Sequence, residues 1–148
     1  MILNYTTKVS VEKTATEIMQ YLVKHGARSA SLESDGNGNV TGVAFLFRTS
    51  AGEYPFRMVP RIDGVYKVLE EAYKKRIVQG RFVTEEQAGR VAWRNLKALI
   101  EAQIAAIECE IVSFDELFLG QLVVGDRGQT LHQLFVAKQL PMLPAPRG

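Results

Sequence analysis

TEEQAGRVAWRNLKALIEAQIAAIECEIV, residues Thr84–Val112, reads as one long amphipathic helix. It opens on a capping-box pattern, Thr84-Glu85-Glu86-Gln87, in which a hydroxyl can accept from the backbone three residues on. Trp93, Leu96, Ile100, Ile104, Ile107 and Ile111 recur at helical spacing and form a wide apolar face. Arg90, Arg94, Lys97 and Glu101 project within one narrow sector, with Trp93 at its edge.

Upstream, residues 4–9 alternate weakly through Tyr5, Thr7 and Val9, as a first strand would. Ser10 can cap a helix whose apolar positions are Val11, Ala15, Ile18 and Leu22, and Gly26 supplies its stop. Arg28–Ser34 and Val40–Thr49 are strands joined by DGNGN, a run rich in residues that tolerate positive φ. In the second, Val43, Phe45 and Phe47 share one face while Ala44 and Leu46 share the other. Tyr54–Val59 is a third strand, with Pro55 near its start.

The expected order is therefore β-α-β-β-β, an antiparallel layer covered by one helix, followed by a helical half. In that half Asp63 can cap a helix that buries Val65, Leu69 and Ala72 or Val68 and ends in Lys74-Lys75-Arg76. Beyond the long helix, Ser113-Phe114-Asp115-Glu116 repeats the capping-box pattern and restarts a helix. Gly125–Gly128 is a turn, and Thr130–Lys138 a short final helix. Residues 1–140 form one α+β domain, with 1–60 as the sheet layer and 61–140 as the helical part. Residues 141–148 form a loose Pro-rich tail.

Composition narrows the function classes. A chain of 148 residues with 47% hydrophobic residues can bury a core without metals or disulfides. Its lone cysteine, Cys109, falls in an apolar helical run and reads as a small buried hydrophobe, which fits a reducing cytoplasm. The N-terminus lacks a charged region followed by an apolar one, so no signal peptide is expected. Ala98–Ile107 and Leu117–Val124 are too short or too interrupted to span a bilayer, so no membrane partner is expected.

Chemistry-bearing motifs are few. His25 and His132 are far apart, and no His, Cys and carboxylate cluster has metal-ligand spacing, so neither metal nor cofactor is expected. Glu108 and Glu110 lie two apart on a helix and do not face each other, which makes them a poor acid–base pair. The glycines near 36–38 join strands and open no phosphate-binding helix. No catalytic residue is assigned, and catalysis is not expected.

Charge is distributed unevenly. Residues 61–97 hold nine Lys and Arg against five acids, whereas 98–126 hold six acids and no Lys or Arg. The candidate anion-binding residues are Lys74, Lys75, Arg76, Arg81, Arg90, Arg94 and Lys97, with Trp93 able to stack on a base. Arg48 and Arg57, on the other face of the sheet or at its edge, form a second candidate surface. The same stripe can instead be a solvated face in which Glu86–Arg90, Arg94–Glu101 and Lys97–Glu101 pair locally, with Trp93 half-buried. Lys74-Lys75-Arg76 can likewise simply complement a helix dipole.

The segments YTTKVSVEKTATEI (Tyr5–Ile18), KHGA (Lys24–Ala27), RVAWRNLKALIEAQIAAIE (Arg90–Glu108), FDELFLGQLVV (Phe114–Val124), GQTL and the ending LPMLPAPRG carry a resemblance. Together they resemble a family of small proteins encoded by bacteriophages, prophages and other mobile elements. The chain departs from it at Gly120-Gln121, where that family tends to carry Pro-Tyr. The resemblance implies a cytoplasmic accessory factor in a host cell, with no assigned activity and no site residues to carry over. Two functions are in view. One is a non-enzymatic protein that binds nucleic acid or a phosphorylated nucleotide through the basic surface. The other is an inhibitor or adaptor of a host or phage enzyme, such as an anti-CRISPR-like counter-defence factor. Homo-oligomerisation through the long helix is compatible with both.

Overall fold

The structure is a computed structural model, described here for residues 2–139. The expected tail at 141–148 lies outside the described residues. The chain is α+β. Its elements run α1 (Val11–Lys24), β1 (Ala27–Ser34), β2 (Val40–Thr49), β3 (Gly52–Met58), α2 (Ile62–Lys74), a 3-10 turn at Gly80–Phe82 and α3 (Glu85–Glu108). α4 (Phe114–Phe118), a 3-10 turn at Leu119–Gln121, β4 (Val123–Val124), β5 (Gln129–Thr130) and α5 (Leu131–Val136) complete it.

β1, β2 and β3 form an antiparallel sheet in that order, and β4 and β5 a separate two-stranded ribbon. The DGNGN link folds as expected. Asp35 accepts from the backbone N–H of Asn37 at 2.8 Å and of Asn39 at 3.0 Å, and Gly38 takes φ of 81°. Val43 and Phe45 are buried on the inner face, opposite Met58 and Phe56 of β3.

The core lies between that inner face and two helices. α1 contributes Ala15, Ile18 and Leu22, and α3 contributes Trp93, Ile100 and Ile104. Phe114 and Phe118 of α4 close one end. The Phe114 ring stacks on Phe47 at 3.8 Å and on Phe118 at 4.4 Å. α1 and α3 run in the same direction, because Val11 lies beside Gly89, Glu17 beside Arg94, and His25 pairs with Glu108.

Several expectations are corrected. Residues 4–9 form a turn and extended backbone outside the sheet. Gln87 of α3 satisfies this segment instead, its amide donating to the carbonyls of Tyr5 at 2.7 Å and Thr7 at 3.0 Å. A strand ladder is thus replaced by one buried side chain. α2 begins at Ile62 with Arg61 as an N-cap that makes no side-chain bond, so Asp63 sits in the first turn and does not cap. Of its expected inward residues Leu69 is fully buried, whereas Val68 is half exposed.

α3 stops at Glu108, short of Val112. Glu110 adopts φ of 58°, its N–H bonds to the Ile107 carbonyl at 3.0 Å, and the Ile111 N–H reaches back to Ala106 at 3.0 Å. This is a Schellman closure built without glycine. It leaves Ile111 78% exposed and Cys109 exposed, so neither belongs to the core.

Candidate nucleic-acid interface

The basic residues divide into two groups with opposite electrostatic surroundings. The first is the α3 stripe. Because α1 lies along α3, Glu17 faces it, and its Oε2 accepts from Arg94 at 2.8 Å and from Lys97 at 2.7 Å. Arg94 also donates to the Thr14 hydroxyl at 3.3 Å, and Lys97 lies 3.6 Å from Glu101. The two cations hold the Glu17 carboxyl below the usual glutamate range, mainly through these hydrogen bonds. Arg94 and Lys97 are therefore offset by Glu17, about 80 positions away, together with Glu101, and the local Arg94–Glu101 pairing is not present among the described ion pairs.

Arg90 is half-buried, and its Nε donates to Gln87 at 2.8 Å. No ion pair joins it to Glu86 among the described residues. Trp93 is wholly buried in the core. The expected stacking role for Trp93 is thereby corrected: an indole that fills the space between two helices and a sheet presents no face to a solvated base. The broad apolar face of α3 is likewise covered within the chain from Trp93 to Ile104.

The second group lies at the end of α2. Lys74, Lys75, Arg76 and Arg81 are all exposed. Lys74 pairs with Glu70 at 3.4 Å one turn back, while Lys75, Arg76 and Arg81 enter none of the ion pairs among the described residues. A second Schellman closure shapes this end. Arg76 adopts φ of 59°, its N–H bonding the Tyr73 carbonyl and the Ile77 N–H the Ala72 carbonyl, both at 2.9 Å.

The connection then folds back. A Cβ on Gly80 would lie 3.2 Å from the Tyr73 ring, so only glycine lets the backbone approach it without displacing the ring. Arg81 follows Gly80 directly, and its guanidinium sits 4.8 Å over the Phe82 ring. Tyr73 and Ile77, at the end of α2 and just past it, remain more than half exposed. Sequence reasoning did not single out Tyr73; its place one residue before the Lys-Lys-Arg run is the signal that could have found it.

The second candidate surface is reduced. Arg57 Nε donates to Glu33 at 2.7 Å across the sheet, and its Nη1 lies 3.4 Å from the Gly128 carbonyl. Arg48 stays exposed and enters none of the ion pairs among the described residues, since Glu53, opposite it in the β2–β3 register, pairs with Arg28 at 3.2 Å. No group of three or more His, Cys, Asp and Glu able to hold a metal occurs among the described residues, and no described helix is long and apolar enough to cross a membrane.

No known protein family, curated protein sequence or solved structure matches the chain.

Proposed function

We propose that this is a non-enzymatic accessory protein that holds a phosphate-bearing ligand, nucleic acid or a nucleotide, at the end of α2. What carries this reading is the contrast between the two basic groups: Lys75, Arg76 and Arg81 have no carboxylate partner among the described residues, whereas Arg94 and Lys97 share Glu17. Tyr73 offers a flat, exposed ring beside those cations, suited to stacking on an unpaired base. The mobile-element setting implied by the sequence resemblance is part of the same reading, as is the cytoplasm of a host cell.

The test is titration of a fluorescent single-stranded oligonucleotide at several salt concentrations. Three phosphate contacts give a log–log salt slope of about −2. Arg76→Glu with Arg81→Glu abolishes binding, while Arg94→Gln leaves it unchanged. A flat salt dependence, or equal loss in Arg94→Gln, overturns the reading.

The alternative is an inhibitor or adaptor of a host or phage enzyme, in the manner of a counter-defence factor. What supports it is the pairing of Arg94 and Lys97 with Glu17 together with half-exposed apolar side chains toward the C-terminal end, Leu119 and Phe135 among them. Self-association belongs with this alternative. It predicts a stoichiometric complex with a host protein that survives nuclease treatment and high salt.

A further inference from the structure

Between the end of β3 and the C-terminal ribbon lies a cleft of about 410 Å³, within the range of small-molecule sites. Its walls come from three parts of the chain. These are the β3–α2 link, Leu96 of α3, and the segment running from the 3-10 turn at Leu119–Gln121 to the start of α5.

Backbone pairing holds the last of these in place. Leu122 bridges to Phe56 of β3, Val123 pairs with Thr130, and the Leu131 N–H donates to the Leu122 carbonyl at 2.8 Å. Yet β4, β5 and α5 contain no buried residue. These elements add little to the core; what their docking adds is one wall of the cleft.

The chemistry of the lining is one-sided. Its polar side chains are Arg57, Arg61, Gln121, Thr130, His132 and Gln133, with no carboxylate among them. The capping box of α5 biases it further. The Thr130 hydroxyl accepts from the Gln133 N–H at 3.2 Å, and Gln133 Oε1 accepts from the Thr130 N–H at 2.7 Å. With those oxygens engaged, the Thr130 hydroxyl proton and the Gln133 amide protons remain to be given. Arg57 spends its Nε on Glu33, which does not border the cleft. Arg61 enters none of the ion pairs among the described residues. A larger cleft of about 860 Å³ also meets Arg61, but Glu12, Asp35, Asp63, Glu85 and Glu86 border that one. An anion is repelled there and favoured in the smaller cleft.

A phosphate monoester carries about −1.5 to −2 charges at neutral pH and three acceptor oxygens, so it can use guanidinium, imidazole and amide donors together. A carboxylate brings one charge and two oxygens. Met58, Val59 and Leu96 supply apolar surface for the body of the ester. We propose that this cleft binds a small phosphate monoester with an apolar body. The site is separate from the basic end of α2 and stands or falls independently of the oligonucleotide titration.

The chain has two histidines, His132 at the cleft and His25, which pairs with Glu108 away from it. Their ring resonances therefore give a reporter and an internal control. The experiment titrates the full-length protein at fixed pH with phenyl phosphate, benzoate (one charge) and phenol (none). The expected result is a saturable shift of His132 and not of His25, with phenyl phosphate at least several-fold tighter than either of the others. Arg61→Gln should weaken phenyl phosphate about tenfold or more, the worth of a hydrogen bond to a charged group. Arg61→Lys should weaken it by less, and Arg76→Glu with Arg81→Glu should leave it unchanged. The proposal fails if His132 does not shift, if benzoate or phenol matches phenyl phosphate, or if Arg61→Gln, folded by circular dichroism, binds like the parent.

Discussion

Glu17 on α1 accepts a hydrogen bond from Arg94 on α3 at 2.8 Å, linking two helices whose residues are 77 positions apart. Lys97 shares the same oxygen at 2.7 Å. Glu17→Gln is expected to cost about 1 kcal/mol at neutral pH, between the values of surface pairs and of hydrogen bonds to charged groups. The sign with pH follows from the lowered Glu17 pKa. The contribution is fully present above the ordinary glutamate range and disappears as pH falls through the folded-state value. Urea midpoints of parent and variant should therefore differ at neutral pH and converge in acid. A gap that persists in acid would show the contact to be something other than this ion pair.

Phe114 touches four other aromatic rings and anchors α4 to the sheet. Its truncation to alanine should destabilise by about 3–5 kcal/mol, the range for a buried aromatic. Guanidinium denaturation would measure it. A loss below about 1 kcal/mol would mean α4 does not hold the core shut.

Ser113 accepts from the Glu116 N–H at 3.3 Å, and Glu116 accepts from the Ser113 N–H at 3.0 Å. Ser113→Ala is expected to cost about 1 kcal/mol. Thermal melts of this variant beside Phe114→Ala separate the cap from the aromatic anchor.

Two buried glycines should respond in opposite directions. A Cβ on Gly89 would meet Val11 at 3.6 Å and Ile62 at 3.8 Å, ordinary contacts, inside a helix where alanine is preferred. Gly89→Ala should stabilise by about 0.5–1 kcal/mol. A Cβ on Gly42 would fall 2.9 Å from Glu33 Oε1 and 3.0 Å from the Met58 carbonyl, so Gly42→Ala should destabilise. Paired denaturant melts would expose an error in either sign.

Arg76→Gly should raise stability by about 1 kcal/mol, since glycine removes the left-handed backbone penalty, while weakening oligonucleotide binding. Retained affinity in this variant would detach Arg76 from the anion site.

The sheet and the long helix were legible because their signals are local: alternation in Val43–Phe47, the DGNGN link, and the 3.6-residue apolar period from Trp93. What was not legible came from distant or unusual partners. The strand expected at residues 4–9 gave way because Gln87, some 80 residues on, takes its carbonyls. The end of α3 was overshot because its left-handed closing residue is Glu110, where glycine would have marked the stop. The α3 stripe read as free charge because Glu17 reaches it only once α1 docks. Glu17 does lie three positions after buried Thr14, at the border of the α1 apolar face, a sign that it would meet a neighbour.

The early stop of α3 has a practical corollary. The exposed thiol of Cys109 and the buried indole of Trp93 sit sixteen residues apart on one rod, a span of about 24 Å along its axis. A dye on that single sulfur turns the pair into a ruler for energy transfer. Unwinding of the rod's far end would change the transferred fraction before the indole's own emission colour shifted.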